Sequence, residues 1–316
     1  MKNSKPLSLQ EIKSIYEKPF NRLLFEAHQV HRDNFDPNEI QKSSLLSIKT
    51  GSCPEDCAYC PQSAHYDTGV EKEALMDEED ILKAANAAKQ SGATRFCLGA
   101  AWRSPSDKQV DNVSSIVAKI KDTGLETCAT LGMLSESQAR TLKTRGLDFY
   151  NHNIDSSENF YKKIVTTRKY QDRIDTLKIV IGSGLKTCSG GIVGMGETIE
   201  DRLEMLMTLR ALPKSPESIP LNILEAIPGT PLESVPALDP LEFVRLIACT
   251  RIVFPKSYVR IAAGREKLSD EAQALCYFAG ANSVFLGEKL LTAKNNAPTS
   301  DARLFEKLDI ENSPQL

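Results

Sequence analysis

The sequence predicts an α/β protein folded as a closed (β/α)8 barrel of the TIM type with an N-terminal helical extension. Three observations carry this. Eight short runs rich in β-branched and aliphatic residues recur along the 316-residue chain. Helix start and stop signals lie between them. Their spacing of roughly 23 to 50 residues matches one strand plus one helix. An open doubly wound sheet is the alternative that the same units could build. The length fits a single domain over 1–316, with the extension at about 1–40, the barrel at about 41–292 and a C-terminal tail at about 293–316.

Residues 8–33 read as helix, opened by a capping box in which Ser8 and Glu11 stand three apart. The first strand is SLLSIKT, beginning at Ser44, and GSCPEDCAYCPQ follows it as a loop rich in turn residues. The acidic run DEED at 77–80 opens the next helix, where carboxylates meet the positive end of the helix dipole; Lys89 and Gly92 close it. TRFCLGA, LETCATL, LDFYNHNID, LKTCSGGIV, SIPLNIL, SYVRIAA and NSVFLGE supply the other strands. Ser135 with Gln138, and Thr198 with Asp201, mark helix starts, and Asp239-Pro240 gives an N-cap followed by an N1 proline.

Composition narrows the function. A hydrophobic share of 41% against 26% charged residues is that of a chain able to bury a large core. With 39 basic against 42 acidic residues and no long basic run, the electrostatic footprint of a nucleic-acid binder is missing. The N-terminus has neither an apolar signal core nor an Arg-rich transit pattern, and no stretch of about 18 uncharged apolar residues follows, so a cytoplasmic protein without membrane spans is expected. Eight cysteines in a reducing compartment point to metal or redox chemistry rather than disulfides.

Alternation along each strand separates a helix-facing set from a set facing the barrel axis. Phe96 and Leu98 oppose Arg95 and Cys97, and Thr127 and Ala129 oppose Glu126, Cys128 and Thr130. The same parity groups Asn151, Asn153 and Asp155, then Lys186 and Cys188, then Asn222, and then Tyr258 and Arg260. Barrel interiors are usually filled by Val, Ile and Leu. A polar interior therefore predicts a bound ligand.

Cys53, Cys57 and Cys60 form a CxxxCxxC loop. Structural zinc sites and fully ligated iron–sulfur clusters use four protein ligands, so three thiolates leave one position open for something else to bind. His65 is the nearby side chain that could complete a zinc site instead. Cys97, Cys128 and Cys188 come from three strands yet share the interior face, as ligands of a second site would. Cys249 and Cys276 lie in apolar helical contexts and are assigned to the core. His28 and His31, three apart without a third ligand, are assigned to the surface.

CxxxCxxC after the first strand of such a barrel resembles the signature of the radical S-adenosylmethionine enzymes. KTGSCPEDCAYCPQSAHY, RFCLGAAWR, YNHNIDSS, TCSGGIVGMGET and SYVRIAAGRE, extending from about residue 45 to 292, are similar to the biotin synthase family within that group. The resemblance implies that Cys53, Cys57 and Cys60 hold a [4Fe-4S] cluster whose open iron is chelated by S-adenosylmethionine, from which a 5′-deoxyadenosyl radical is released. It further implies that Cys97, Cys128, Cys188 and Arg260 hold a [2Fe-2S] cluster that supplies sulfur. The implied reaction is sulfur insertion between C6 and C9 of dethiobiotin, the last step of biotin biosynthesis.

For the cofactor, the resemblance implicates Asn153, Asp155, Arg173, Gly191, Ile192 and Gly194, although SGGIVGMGE matches a dinucleotide fingerprint only loosely. For dethiobiotin it implicates Asn151, Asn153 and Asn222, whose amides can pair with both donor and acceptor of a cyclic urea, and Thr292 for the valerate carboxylate. Ala293 follows Thr292 where a second hydroxyl is expected, which weakens that tail contact. The implied partners are a flavodoxin- or ferredoxin-type electron donor, the Fe-S assembly machinery and a second copy in a homodimer.

Overall fold

The computed structural model describes residues 7–313. Eight parallel strands form the ring: β1 (Glu39–Lys49), β2 (Arg95–Ala100), β3 (Glu126–Thr130), β4 (Phe149–Asn151), β5 (Lys186–Cys188), β6 (Ser218–Ile223), β7 (Tyr258–Ile261) and β8 (Ser283–Leu286). Each pairs with the next, and β8 returns to β1, with Gln41 opposite Ser283. The ring is closed, as the sequence predicts.

The outward side chains are those the alternation selects. Phe96, Leu98, Ala129 and Tyr150 pack with Ile81, Val113, Ile116 and Val117 of the surrounding helices. Cys97, Cys128, Phe149 and Cys188 instead meet one another inside the ring, beside Leu45 and Phe285. The capping boxes at Ser8/Glu11, Ser135/Gln138 and Thr198/Asp201 are all formed.

Four features differ from the sequence expectation. The helix expected over 8–33 is two helices, Leu9–Tyr16 and Phe20–Arg32, because Pro19 cannot continue a helix and its extended backbone caps the second one. Arg245 Nη1 donates to the carbonyls of Tyr16 at 2.7 Å and Lys18 at 2.8 Å, satisfying groups left open at that break. His31 is not a surface residue. It is 0% exposed beside Phe35, and burial, aided by the Arg251 charge, pushes its imidazole down to about 3 and so keeps it neutral. His28 is half-buried and stacks on Phe278.

The run 185–193 breaks after Cys188, and Gly191–Val193 pairs separately with β6. A Cβ on Gly190 would lie 1.9 Å from the Pro220 carbonyl oxygen, so the chain passes β6 too closely for a side chain. The C-terminal tail is also ordered into elements: a helix, Pro298–Lys307, and a short strand, Glu311–Asn312, parallel to the start of β1. A buried ion pair of 2.6 Å between Arg265 and Asp301 ties that helix to the turn after β7. Among the described residues no helix is long and apolar enough to cross a membrane.

Candidate functional site

The cysteine loop leaves β1 through Gly51 and Ser52, both with positive φ, and folds back on itself through Cys53 N–H to the Gln62 carbonyl at 2.8 Å and Ala64 N–H to the Cys53 carbonyl at 2.7 Å. Its two acidic residues fasten it to the turn before the 170–182 helix. Asp56 accepts from Thr166 N–H at 2.9 Å and Thr167 N–H at 3.1 Å, and Glu55 is held by Arg168 at 3.0 Å and Arg103 at 3.3 Å. Burial pushes the Asp56 carboxyl up, but the hydrogen bonds from Thr166 and Thr167 outweigh it and hold it at about 2.

Cys53, Cys57 and Cys60 line one cavity of about 220 Å³. Burial pushes Cys57 up to about 12 and Cys60 up to about 11, and raises Cys53. A metal centre would supply the positive charge that this burial withholds from the thiolates. His65 does not line the cavity; it is exposed, with Nε2 3.2 Å from the Pro54 carbonyl. Among the described residues, no group of three or more His, Cys, Asp or Glu side chains is arranged to hold a single metal ion. A cluster makes a different demand, because each thiolate binds its own iron. Three thiols on one cavity wall fit a cluster with one iron left open.

The opposite wall is polar. Asp155, at φ 67° and 2% exposed, accepts from Tyr59 Oη at 2.8 Å and from Arg173 Nη2 at 2.6 Å. Arg173 also donates to the Asn153 carbonyl and to Tyr161 Oη, both at 2.9 Å. Asn151, Asn153, Asp155 and Arg173 therefore all line the cavity. β4 ends at Asn151, so Asn153 and Asp155 reach this wall from a loop rather than from a shared strand face. Trp102 and Thr130 also line the cavity.

Below this floor lies the second set. Cys128 is two residues deeper than Thr130 on β3, about 7 Å along a strand, and Cys188 is the register partner of Asn151. Cys128 is the central thiol: its hydrogen bonds to Cys97 and Cys188 hold those two down, and the same bonds push Cys128 up. Arg260 is 1% exposed, and its Nη1 reaches to 4.0 Å from Cys188 Sγ. Its other contacts are neutral: Ser283 Oγ at 2.8 Å, Gln41 Oε1 at 2.9 Å and Ser43 Oγ at 2.9 Å. Among the described residues no carboxylate answers this buried cation. A buried charge left unpaired costs several kcal/mol, so three thiolates carrying an iron–sulfur group fit the place.

A model of the radical S-adenosylmethionine superfamily matches residues 47–209, and one described as the biotin and thiamin synthesis associated domain matches residues 220–311. Proteins named biotin synthase are similar over nearly the whole chain. That of Buchnera aphidicola subsp. Schizaphis graminum is 57% identical, covering 96% of this chain and 89% of its own. That of Neorickettsia sennetsu is 58% identical, covering 97% and 94%. This chain belongs to the biotin synthase family.

The ring is shared more widely. Methylornithine synthase superposes with a TM-score of 0.81 at 17% identity, covering 98% of this chain and 95% of that one. An FeFe-hydrogenase maturase from Carboxydothermus hydrogenoformans gives 0.80 at 15%, covering 95% and 75%. At such identities the likeness is one of fold.

Several residues that the biotin synthase resemblance implicates are placed away from the cysteine cavity. Gly191, Ile192, Gly194 and Asn222 do not line it. The space beside Gly191 is filled by protein: a Cβ there would lie 2.1 Å from Met205 Sδ and 2.4 Å from the Asp155 carbonyl oxygen. Asn222 spends both ends of its amide on backbone, donating to the Gly191 carbonyl at 2.9 Å and accepting from Ala263 N–H at 3.1 Å. Thr292, at the turn of the hairpin Lys289–Leu290/Ala293–Lys294, faces a neighbouring cavity of about 390 Å³ with Ser47, Thr50 and Lys289. Leu291 lines both cavities and forms the partition between them. Sequence reasoning missed Glu55, Asp56, Tyr59 and Arg168. It also missed Gln41, Ser43 and Ser283, for which strand parity carries a signal: all three alternate onto the interior face.

Proposed function

We propose that this chain catalyses sulfur insertion into dethiobiotin to form biotin, with a [4Fe-4S] cluster at the outer cysteines and a [2Fe-2S] cluster at the inner ones. The observation that carries this is that one cysteine triad lines the cavity while a second is buried in the same barrel next to the cavity-lining Asn151 and Thr130. When bound, the outer cluster with S-adenosylmethionine supplies a carbon-centred radical, and the inner one supplies sulfur.

The protein's own residues bind, orient and exclude water. Glu55 and Asp56 fix the outer loop against 166–168. Arg173 and Tyr59 hold Asp155, and Arg173 holds the Asn153 backbone, which presets that wall for the polar groups of the cofactor. Asn151 and Thr130, hydrogen-bonded at 3.2 Å, form the floor directly above the inner thiols, where a cyclic urea finds both donor and acceptor. Asn222 acts on the substrate only after giving up a backbone contact. Leu291 and Thr292 cover the mouth where a valerate chain leaves.

The same reading takes 1–316 as one domain, cytoplasmic, homodimeric, and supplied by a flavodoxin- or ferredoxin-type donor and the Fe-S assembly machinery. The test is anaerobic reconstitution with iron and sulfide, followed by dethiobiotin, S-adenosylmethionine and a reductant. Biotin and 5′-deoxyadenosine are the expected products. Purified iron-loaded chain that yields 5′-deoxyadenosine but never biotin refutes the assignment.

A further inference from the structure

Beneath the inner cysteines lies a second buried guanidinium. Arg95 is 0% exposed, two residues before Cys97 on the same face of β2. Its register partner Glu126, 5% exposed, accepts from Nε at 3.1 Å and from Nη2 at 2.9 Å. The guanidinium plane lies over the Phe149 ring with Cζ 3.5 Å from its centroid, and Phe149 packs directly on the three thiols. Nη1 has no hydrogen-bond partner although it is buried. Lys186 Nζ lies 3.9 Å from the other Glu126 oxygen, Oε1, and closes the floor from the half-exposed side.

Glu126 takes up Nε and Nη2 of this guanidinium and leaves Nη1 without an acceptor. A buried donor without an acceptor is costly, and a charge in a closed, dry space acts over longer distances than one in water. Arg95 sits two residues from Cys97 on the same strand face, about 7 Å along it, with the Phe149 ring between its guanidinium and the thiols. Cluster potentials respond to net charge and hydrogen bonds around the sulfurs.

We propose that the Arg95–Glu126 pair sets the reduction potential of the inner cluster, with Arg95 raising it and Glu126 lowering it. Arg95 is thus a positioning residue of the sulfur-donor site, acting through its charge. The inference rests on the reading of Cys97, Cys128, Cys188 and Arg260 as a [2Fe-2S] site. It bears on the reaction because a cluster held by these residues would have to take up one electron for each sulfide–carbon bond formed with a carbon radical, and its potential would set how readily it does so.

The test is the midpoint potential of the [2Fe-2S] cluster in the reconstituted full-length protein, compared among wild type, Arg95→Gln and Glu126→Gln, with Mössbauer spectra to count each cluster. Arg95→Gln leaves Glu126 only the Lys186 ammonium at 3.9 Å and should disfavour reduction by at least about tenfold, a downward shift of about 59 mV for one electron. Glu126→Gln should shift it upward by a similar factor. Opposite signs from two partners of one pair are not what a general loosening of the barrel produces. Unchanged potentials, or shifts of the same sign, overturn the proposal while leaving the cluster assignment standing. Where Arg95→Gln fails to fold, the upward shift in Glu126→Gln alone decides. A wild-type protein without a [2Fe-2S] doublet overturns both the assignment and this inference.

Discussion

Arg173→Ala tests the polar wall of the outer cavity. Arg173 is 7% exposed and Asp155 2%, and they meet at 2.6 Å. At an effective dielectric near 20 the gross attraction at that distance is about 6 kcal/mol, offset in part by desolvation. Removing one partner of such a pair leaves a buried carboxylate with Tyr59 alone, and typically costs about 3–5 kcal/mol. The lost hydrogen bond to the Asn153 carbonyl adds to this. Arg173→Ala should therefore lower the stability of the full chain by that amount in urea unfolding followed by circular dichroism. Asp155→Ala combined with it should recover a coupling of about 2–3 kcal/mol. Production of 5′-deoxyadenosine should fall in both single variants. A loss below about 1 kcal/mol for Arg173→Ala, additive with Asp155→Ala, would refute the view that the two residues act as one unit.

Gly190→Ala should destabilise the chain by about 3 kcal/mol or more, since its methyl would stand 1.9 Å from the Pro220 carbonyl oxygen and neither backbone can yield cheaply. Iron bound at the inner site should fall with it, because β5 carries Cys188; a stable variant with full iron content contradicts the close approach. Glu266 is the clearest pH-sensitive group outside the two cysteine sites. Burial, and then its hydrogen bond with Glu225, raises its carboxyl from 4.5 to about 7. The folded state thus favours the protonated form, so the contribution of this group to stability is fully present below about pH 4.5 and is lost as pH rises through 7. Glu266→Gln should flatten that decline in melting temperature between pH 5 and pH 8; an unaltered slope contradicts it.

What the sequence disclosed was whatever depends on neighbours in the chain. Ser8 with Glu11 and Thr198 with Asp201 cap their helices because a cap needs only three residues. Strand alternation placed Cys97, Cys128, Cys188 and Arg260 on one interior face because a pleated strand has a period of two wherever it lies. The fastening of Asp56 to Thr166 and Thr167 joins segments 110 and 111 residues apart, and no local pattern announces it. The break at Gly190 depends on Pro220 thirty residues later, and the burial of His31 on a helix that begins at Pro240. Asn222 reads as a ligand from its amide alone, and only the fold reveals that Gly191 and Ala263 already occupy that amide. Arg173 lies near the start of a helix, an ordinary place for a solvated arginine, and is buried because Asp155 draws it inward.

The proposed outer iron–sulfur site on the cavity and the inner one buried below it are two separate centres, and Cys188→Ala tests this most directly. Mössbauer spectra and the yields of 5′-deoxyadenosine and biotin are to be taken from the same anaerobic reaction, with Cys57→Ala alongside. Cys188→Ala should lose the [2Fe-2S] signal and biotin while keeping the [4Fe-4S] signal and S-adenosylmethionine cleavage. Cys57→Ala should lose cleavage and keep the [2Fe-2S] signal. Full biotin yield from Cys188→Ala, or loss of cleavage in a folded Cys188→Ala protein, would contradict it.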